Sequence, residues 1–171
     1  MKSKKNFGII LVRSESIRLP NKCFLDFGKN NVLEHIINRC KYYKIIPIVC
    51  TTSMKSDDKI IELSKKLNVS FYRGHSINKI LRISNCCKKF KLKAFHTIDA
   101  DDPFFCGHEV RRSLNYLNSF SLDIVKPTTI SSKGSGLVGY SAKADIFYRL
   151  SKKIKINTNT EMMWNYFKKI N

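Results

Sequence analysis

Phe7-Gly8-Ile9-Ile10-Leu11-Val12 runs without a polar side chain straight into Arg13-Ser14-Glu15-Ser16-Ile17-Arg18-Leu19-Pro20-Asn21-Lys22. A short continuous apolar run that ends on polar residues reads as a strand buried on both faces of a parallel sheet. The ten residues after it read as a polar loop at that strand's carboxyl end, closed by Leu19-Pro20.

The chain beyond this loop alternates strands and amphipathic helices. Asn31 with Glu34 three residues on gives a capping-box-like helix start, followed by an apolar stripe of Val32, Leu33, Ile36, Ile37 and Cys40. Ile45–Thr51 reads as the second strand, with Pro47 tolerable near its beginning. Ser56 is expected to cap the next helix, with Asp57 and Asp58 in its first turn, where the dipole favours anions. A third strand is expected at Val69–Tyr72, a helix over about 77–90, a fourth strand at Ala94–Asp99, a helix at Glu109–Asn118 and a fifth strand at Leu122–Pro127. Ser131–Gly139 reads as a flexible Ser/Gly-rich loop. A helix near Ala142–Lys152 and a last helix capped by Thr160 complete the chain. This alternation implies a three-layer α/β domain with a mostly parallel sheet covered on both faces. We divide it into an α/β core over residues 1–130 and a C-terminal appendage of the same domain over residues 131–171.

Composition excludes several classes. With 43% hydrophobic residues and only 7 Gly and 4 Pro among 171, the chain is not a disordered tail, a collagen-like repeat or a linker. No apolar run approaches the roughly 18 residues of a membrane helix, and the basic N-terminus leads into too short an apolar stretch for a signal peptide. A cytoplasmic protein without a membrane partner is expected. The net charge of +19 comes from 24 Lys against 8 Arg spread over nearly every segment, without the aromatic interleaving of a base-stacking surface. It reads as a generic basic surface that attracts nucleotides and other small polyanions rather than as a nucleic-acid footprint. The six cysteines contain no C-x-x-C and the four histidines show no metal-ligand spacing, so reduced core thiols are expected in place of a zinc site.

In a doubly wound sheet ligands bind beyond the strands' carboxyl ends, where the strand order reverses. Two polar loops leave such ends: the cationic Arg13–Lys22 and the anionic Asp99-Ala100-Asp101-Asp102-Pro103. The cationic count alone is what this Lys-rich composition yields anywhere, and an acidic cluster can be a solvated loop. Facing each other, however, they suit a nucleoside triphosphate: Arg and Lys for the phosphates, and carboxylates for a magnesium ion shared with them. On an extended segment Asp99 and Asp101 would point the same way and reach one ion.

The loop resembles the signature R-x-x-S-x-R-L-P-x-K of the cytidylyltransferases, the group that includes CMP-KDO synthetase, acylneuraminate cytidylyltransferase and relatives of spore-coat polysaccharide protein F. The likeness continues through Thr51-Thr52 with Asp57-Asp58, through Tyr72-Arg73-Gly74 and through Asp99 to Phe104, covering roughly residues 7–120. It implies a nucleotide-diphospho-sugar transferase (GT-A, Rossmann-like) fold. It also implies transfer of CMP from CTP to an acidic, 3-deoxy-2-keto type sugar for surface polysaccharide, with Mg²⁺. Residue by residue, it implies Arg13, Arg18 and Lys22 on the triphosphate, with Ser16 in the same loop. It further implies Lys22 and Asp101 as catalytic, Asp101 and Asp99 on the metal, the Leu11 backbone at the base or ribose, and Thr51 and Thr52 nearby.

Asn21 stands where the family has Gly; after Gly it is the residue that best tolerates positive φ. The family's later segment, with a second metal-binding Asp, finds no counterpart in our reading of this chain. The last helix carries Met163, Tyr166, Phe167 and Ile170 on one stripe, with Met162 and Trp164 widening it. That surface either docks on its own core or, as in family relatives, supports a homodimer. Two other functions stay open on the residues: a shortened relative that binds nucleotide or a partner without turnover, and a GT-A glycosyltransferase using Asp99-x-Asp101 for its metal.

Overall fold

The computed structural model describes residues 5–15, 19–127 and 139–167. β1 (Phe7–Leu11) leads through a 3₁₀ turn at Lys22–Phe24 and a short hairpin of β2 (Asp26–Phe27) and β3 (Asn30–Asn31) into α1 (Val32–Tyr42). Then come β4 (Ile46–Thr52), α2 (Asp58–Lys66), β5 (Ser70–Gly74), α3 (Lys79–Lys89), β6 (Ala94–Asp99) and α4 (Gly107–Ser119). The chain closes with β7 (Ile124–Val125), β8 (Ser141–Lys143), α5 (Ala144–Lys153) and α6 (Trp164–Phe167).

The main sheet has the order β5-β4-β1-β6-β8-β7. β1 pairs parallel with β4 on one side and β6 on the other, so the strand of the opening apolar run is central. Its residues alternate between two cores, as a strand covered on both faces must. Ile9 and Leu11 pack with α3, α5 and α6, while Ile10 packs with α1, α2 and α4. The three-layer, mostly parallel architecture expected from the alternation is therefore the one formed.

The differences are local. Ala142 and Lys143, read as the start of a helix, belong with Ser141 to an antiparallel strand inserted between β6 and β7, with α5 beginning at Ala144. Three residues are too few to show a period-two pattern. What holds them is pairing with β6, where His96 Nδ1 lies 2.9 Å from Ser141 Oγ. The fifth expected strand shrinks to Ile124–Val125 at the sheet edge.

Ser56 does not cap α2: it lies in a 3₁₀ turn at Lys55–Asp57, and Asp57 turns its carboxylate inward. Thr160 does not cap the last helix either. Its hydroxyl accepts from Ile80 N at 3.0 Å and donates to Asn78 Oδ1 at 3.2 Å, serving the start of α3. The Asn31 cap forms as read, its side chain accepting from Glu34 N at 2.9 Å. The expected loop at 131–139 falls, apart from Gly139, outside the described residues.

Met163 is buried, and Trp164 and Phe167 set their rings edge-on to Tyr140 at 5.0 and 5.8 Å, so α6 docks on its own core. Met162 remains exposed, and Ile170 lies outside the described residues. No described helix is long and apolar enough to cross a membrane.

His96 gives the fold a pH signature. Burial disfavours the imidazolium and pushes its pKa down from 6.5 to about 3. The unfolded ring takes up a proton below 6.5 while the folded one does not, so stability is full above that value and is lost as pH falls toward 3. In urea unfolding, the loss between pH 7.5 and pH 5 is expected to be about 2 kcal/mol smaller in His96→Gln than in the parent. Equal losses in the two proteins would remove His96 from the acid response.

Candidate active site

The reversal of strand order falls at β1, and both loops named in the sequence leave this end of the sheet. Leu11 and Asp99 are register partners on β1 and β6, and Ala100 N donates to Leu11 O at 3.2 Å. The cationic and acidic loops thus start side by side. They meet at Lys22, whose Nζ bonds Asp101 Oδ2.

Around that pair lies a cavity of about 340 Å³. Leu11 and Val12 line it from the end of β1, Arg13 and Lys22 from the first loop, Asp99 and Asp101 from the end of β6 and the turn after it, and Lys79 and Arg82 from α3. Ser16 and Arg18 lie outside the described residues.

Each side chain is placed by its local chemistry. Asn21 sits at φ 56°, the left-handed conformation expected where the family carries Gly. Its N–H donates to Ser14 O at 2.9 Å, closing the base of the loop and setting Lys22 beyond it. The acidic segment is not extended: Asp102 N donates to Asp99 O at 3.1 Å, folding Asp99–Asp102 into a turn. The turn, and not strand alternation, brings Asp99 and Asp101 to one cavity. α1 steadies the residues just beyond this turn, with Arg39 Nε donating to Phe105 O at 2.7 Å and His35 Nε2 lying 3.1 Å from Pro103 O.

Thr51 and Thr52 direct their hydroxyls to Asp57 Oδ2, and Thr52 N reaches the same oxygen at 3.1 Å. Thr52 also borders a smaller cavity of about 190 Å³ behind Arg13.

Two acids escape the sequence reading. Asp57, which reads as a first-turn helix residue, instead receives Ser14 N at 2.7 Å. Burial pulls its pKa up, but the bonds from Ser14, Thr52 and Thr51 more than offset this and hold it below the usual carboxylate value. Glu161 is the second. Thr160, tied to the start of α3, sets the next residue at the cavity, where its carboxylate lies 3.6 Å from Lys79 Nζ and 3.8 Å from Arg13 Nη2. The polar run Asn157-Thr158-Asn159-Thr160-Glu161 between two apolar stretches is the available signal.

The cavity is a mosaic of opposite charges. Lys79 also lies 4.0 Å from Asp99. Burial raises the Asp99 pKa against the pull of Lys79, and the nearby charges of Asp101, Glu161 and Asp102 add to the rise. Cys23 on the wall is held as a thiol, burial pushing its pKa up to about 11, so it is no nucleophile at neutral pH. Carboxylate oxygens are the donors a hard divalent cation prefers. Among the described residues no three His, Cys, Asp or Glu are grouped tightly enough to cage a metal. The fit is to an ion held by one or two carboxylates and completed by phosphate oxygens.

The profile of the cytidylyltransferase family matches residues 7–138. The chain belongs to the cytidylyltransferase family. This cytidylyltransferase-family chain is 31% identical over 153 residues to an uncharacterised protein of Methanocaldococcus jannaschii. That match covers 88% of this chain and 60% of the relative, so the chain spans about 60% of that relative's length. Among solved structures it is similar to a cytidylyltransferase from Leptospira borgpetersenii serovar Hardjo-bovis, at TM-score 0.81 and 20% identity over 96% of this chain and 72% of that one. It is also similar to a CMP:2-keto-3-deoxy-manno-octonic acid synthetase complexed with CTP, at TM-score 0.70 and 12% identity over 93% and 82% of the two chains. These structural likenesses are of fold: the cytidylyltransferase-family chain has the nucleotide-diphospho-sugar transferase fold.

Proposed function

We propose that the chain transfers CMP from CTP to an acidic sugar of the 3-deoxy-2-keto type, releasing pyrophosphate, in the cytoplasmic synthesis of surface polysaccharide. The observation that carries this reading is the meeting of Lys22 and Asp101 across one cavity at the carboxyl ends of β1 and β6. Family membership supports nucleotidyl transfer, and the CTP complex of a protein with the same fold supports CTP as the donor.

In this reading the sugar hydroxyl oxygen attacks the α-phosphorus. A new phosphorus–oxygen bond forms, the bond to the bridging oxygen of pyrophosphate breaks, and the hydroxyl proton passes to solvent. Arg13 and Lys22, with Arg18 and Ser16 of the same loop, hold the triphosphate, and Lys22 stabilises charge on the departing phosphates. Thr51 and Thr52 act indirectly, through Asp57. The Leu11 backbone faces the base or ribose. Asp101 and Asp99 would hold Mg²⁺, which when bound supplies charge neutralisation at the phosphates. Residues 1–130 provide the nucleotide-binding core. The appendage over residues 131–171 brings Glu161 to the cavity and leaves Met162 and Trp164 exposed, the surface on which we base a homodimer.

Incubation with CTP, Mg²⁺ and a panel of 3-deoxy-2-keto sugar acids is expected to release pyrophosphate, with CTP preferred over UTP. No turnover across the panel, together with no CTP heat in calorimetry, would overturn the reading.

A further inference from the structure

Two cations proposed for the triphosphate, Arg13 and Lys22, stand on opposite legs of one loop, and the backbone of a single residue, Ser14, joins those legs to the end of β4 through Asp57. Ser14 accepts from Asn21 N through its carbonyl at 2.9 Å and donates through its N–H to Asp57 Oδ1 at 2.7 Å. Lys22 follows Asn21 directly, and Arg13 precedes Ser14.

Asp57 is 1% exposed, and both its oxygens are engaged. Oδ2 accepts from Thr51 Oγ1 at 2.8 Å, from Thr52 N at 3.1 Å and from Thr52 Oγ1. The two threonines end β4, the strand that pairs with β1, so the carboxylate bolts the loop to a rigid strand end. It makes no cap bond to its own helix. Burying an ionised carboxylate is costly unless donors surround it, and here four do.

We propose that Asp57 is a positioning residue that sets Arg13 and Lys22 for the triphosphate by clamping the backbone of Ser14 to the end of β4. The proposal rests on the nucleotide reading above and adds to it the element that keeps the phosphate loop in register.

The carboxylate is chemically specific for this task. Two backbone N–H groups, of Ser14 and Thr52, go to different oxygens. An asparagine offers one acceptor oxygen and one NH₂, so one of those donors must face another donor. Hydroxyl rotation can rescue the threonine side chains but not the second backbone N–H.

The test compares Asp57→Asn with the parent and with Ile60→Val, a core change in α2 that lowers stability without touching the loop. CTP affinity by calorimetry and exchange of the Ser14 and Asn21 amides by NMR are measured well below the unfolding midpoint. In Asp57→Asn, CTP affinity is expected to drop about 10- to 100-fold and both amides to exchange faster. In Ile60→Val both readouts are expected to stay at parental values despite a lower unfolding temperature. Unchanged affinity and exchange in Asp57→Asn would overturn the proposal alone. So would losses in Ile60→Val as large as those in Asp57→Asn, because the effect would then be one of stability. If Asp57→Asn does not fold, Thr51→Val with Thr52→Ser, which weakens the same clamp and keeps every backbone donor, replaces it with the same expected direction and the same overturning result. A parent protein that binds no CTP overturns the nucleotide reading and this proposal with it, an outcome distinct from unchanged affinity in the variant.

Discussion

Asp101→Ala is expected to lower the rate of pyrophosphate release by about three orders of magnitude, while tightening CTP binding in buffer that contains EDTA. The two effects have opposite signs for one reason. Asp101 lies in the cavity as a carboxylate bonded to Lys22, so it repels phosphates and occupies the cation meant for them. Removing it frees Lys22 and deletes a negative charge, which favours a bare triphosphate. The same deletion removes a carboxylate that we propose holds the divalent ion, so turnover is expected to collapse. Steady-state rates with Mg²⁺ and calorimetry without it separate the two. A rate within tenfold of the parent, or weaker binding in EDTA, would take Asp101 out of the site. Asp99→Asn is expected to be milder in EDTA, because Asp99 is already disfavoured as an anion by burial and by Asp101.

The legible part of this protein was what local chemistry writes into sequence. The run Phe7–Val12 announces a central strand because a residue buried on either face must be apolar on either face, and β1 feeds both cores. The Asn31 cap was readable because its hydrogen bond spans three residues. Asn21 was readable as a left-handed position only through the resemblance, which puts Gly there, Asn being the residue that best tolerates such a φ after Gly. What could not be read depends on distant partners. Ser141–Lys143 is a strand only because β6 offers an edge 45 residues away from Ser141, at His96. Asp57 resembled a dipole-stabilising helix residue, since nothing local tells that Ser14 will arrive from 43 residues earlier. Thr160 likewise had the composition of a cap, yet it serves a helix 80 residues before it. Glu161 became a cavity residue through that same tie.

Lys22→Met is expected to reduce kcat/KM for CTP by about 100- to 1,000-fold and, in nucleotide-free protein, to raise the affinity for Mn²⁺. Lys22 Nζ is bonded to Asp101 Oδ2 in the free cavity, so a cation binding there must first displace an ammonium. Methionine keeps much of the side chain's length and apolar stem but removes the charge, leaving Asp101 available. In the proposed reading a triphosphate does the same job in the parent by drawing Lys22 onto its own oxygens, so the ion and the nucleotide are expected to assist each other's binding. Mn²⁺ titration followed by electron paramagnetic resonance, with and without CTP, measures that assistance directly. In the parent, CTP should tighten Mn²⁺ strongly; in Lys22→Met the free protein should already bind it better, and CTP should add less. The pair Lys79–Asp99 is longer, at 4.0 Å, and Lys79 is shared with Glu161, so Lys79→Met should shift Mn²⁺ affinity less than Lys22→Met. Mn²⁺ affinity unchanged by Lys22→Met, in a folded protein that has lost turnover, would leave Lys22 as a phosphate ligand only and dissolve the exchange between its two partners.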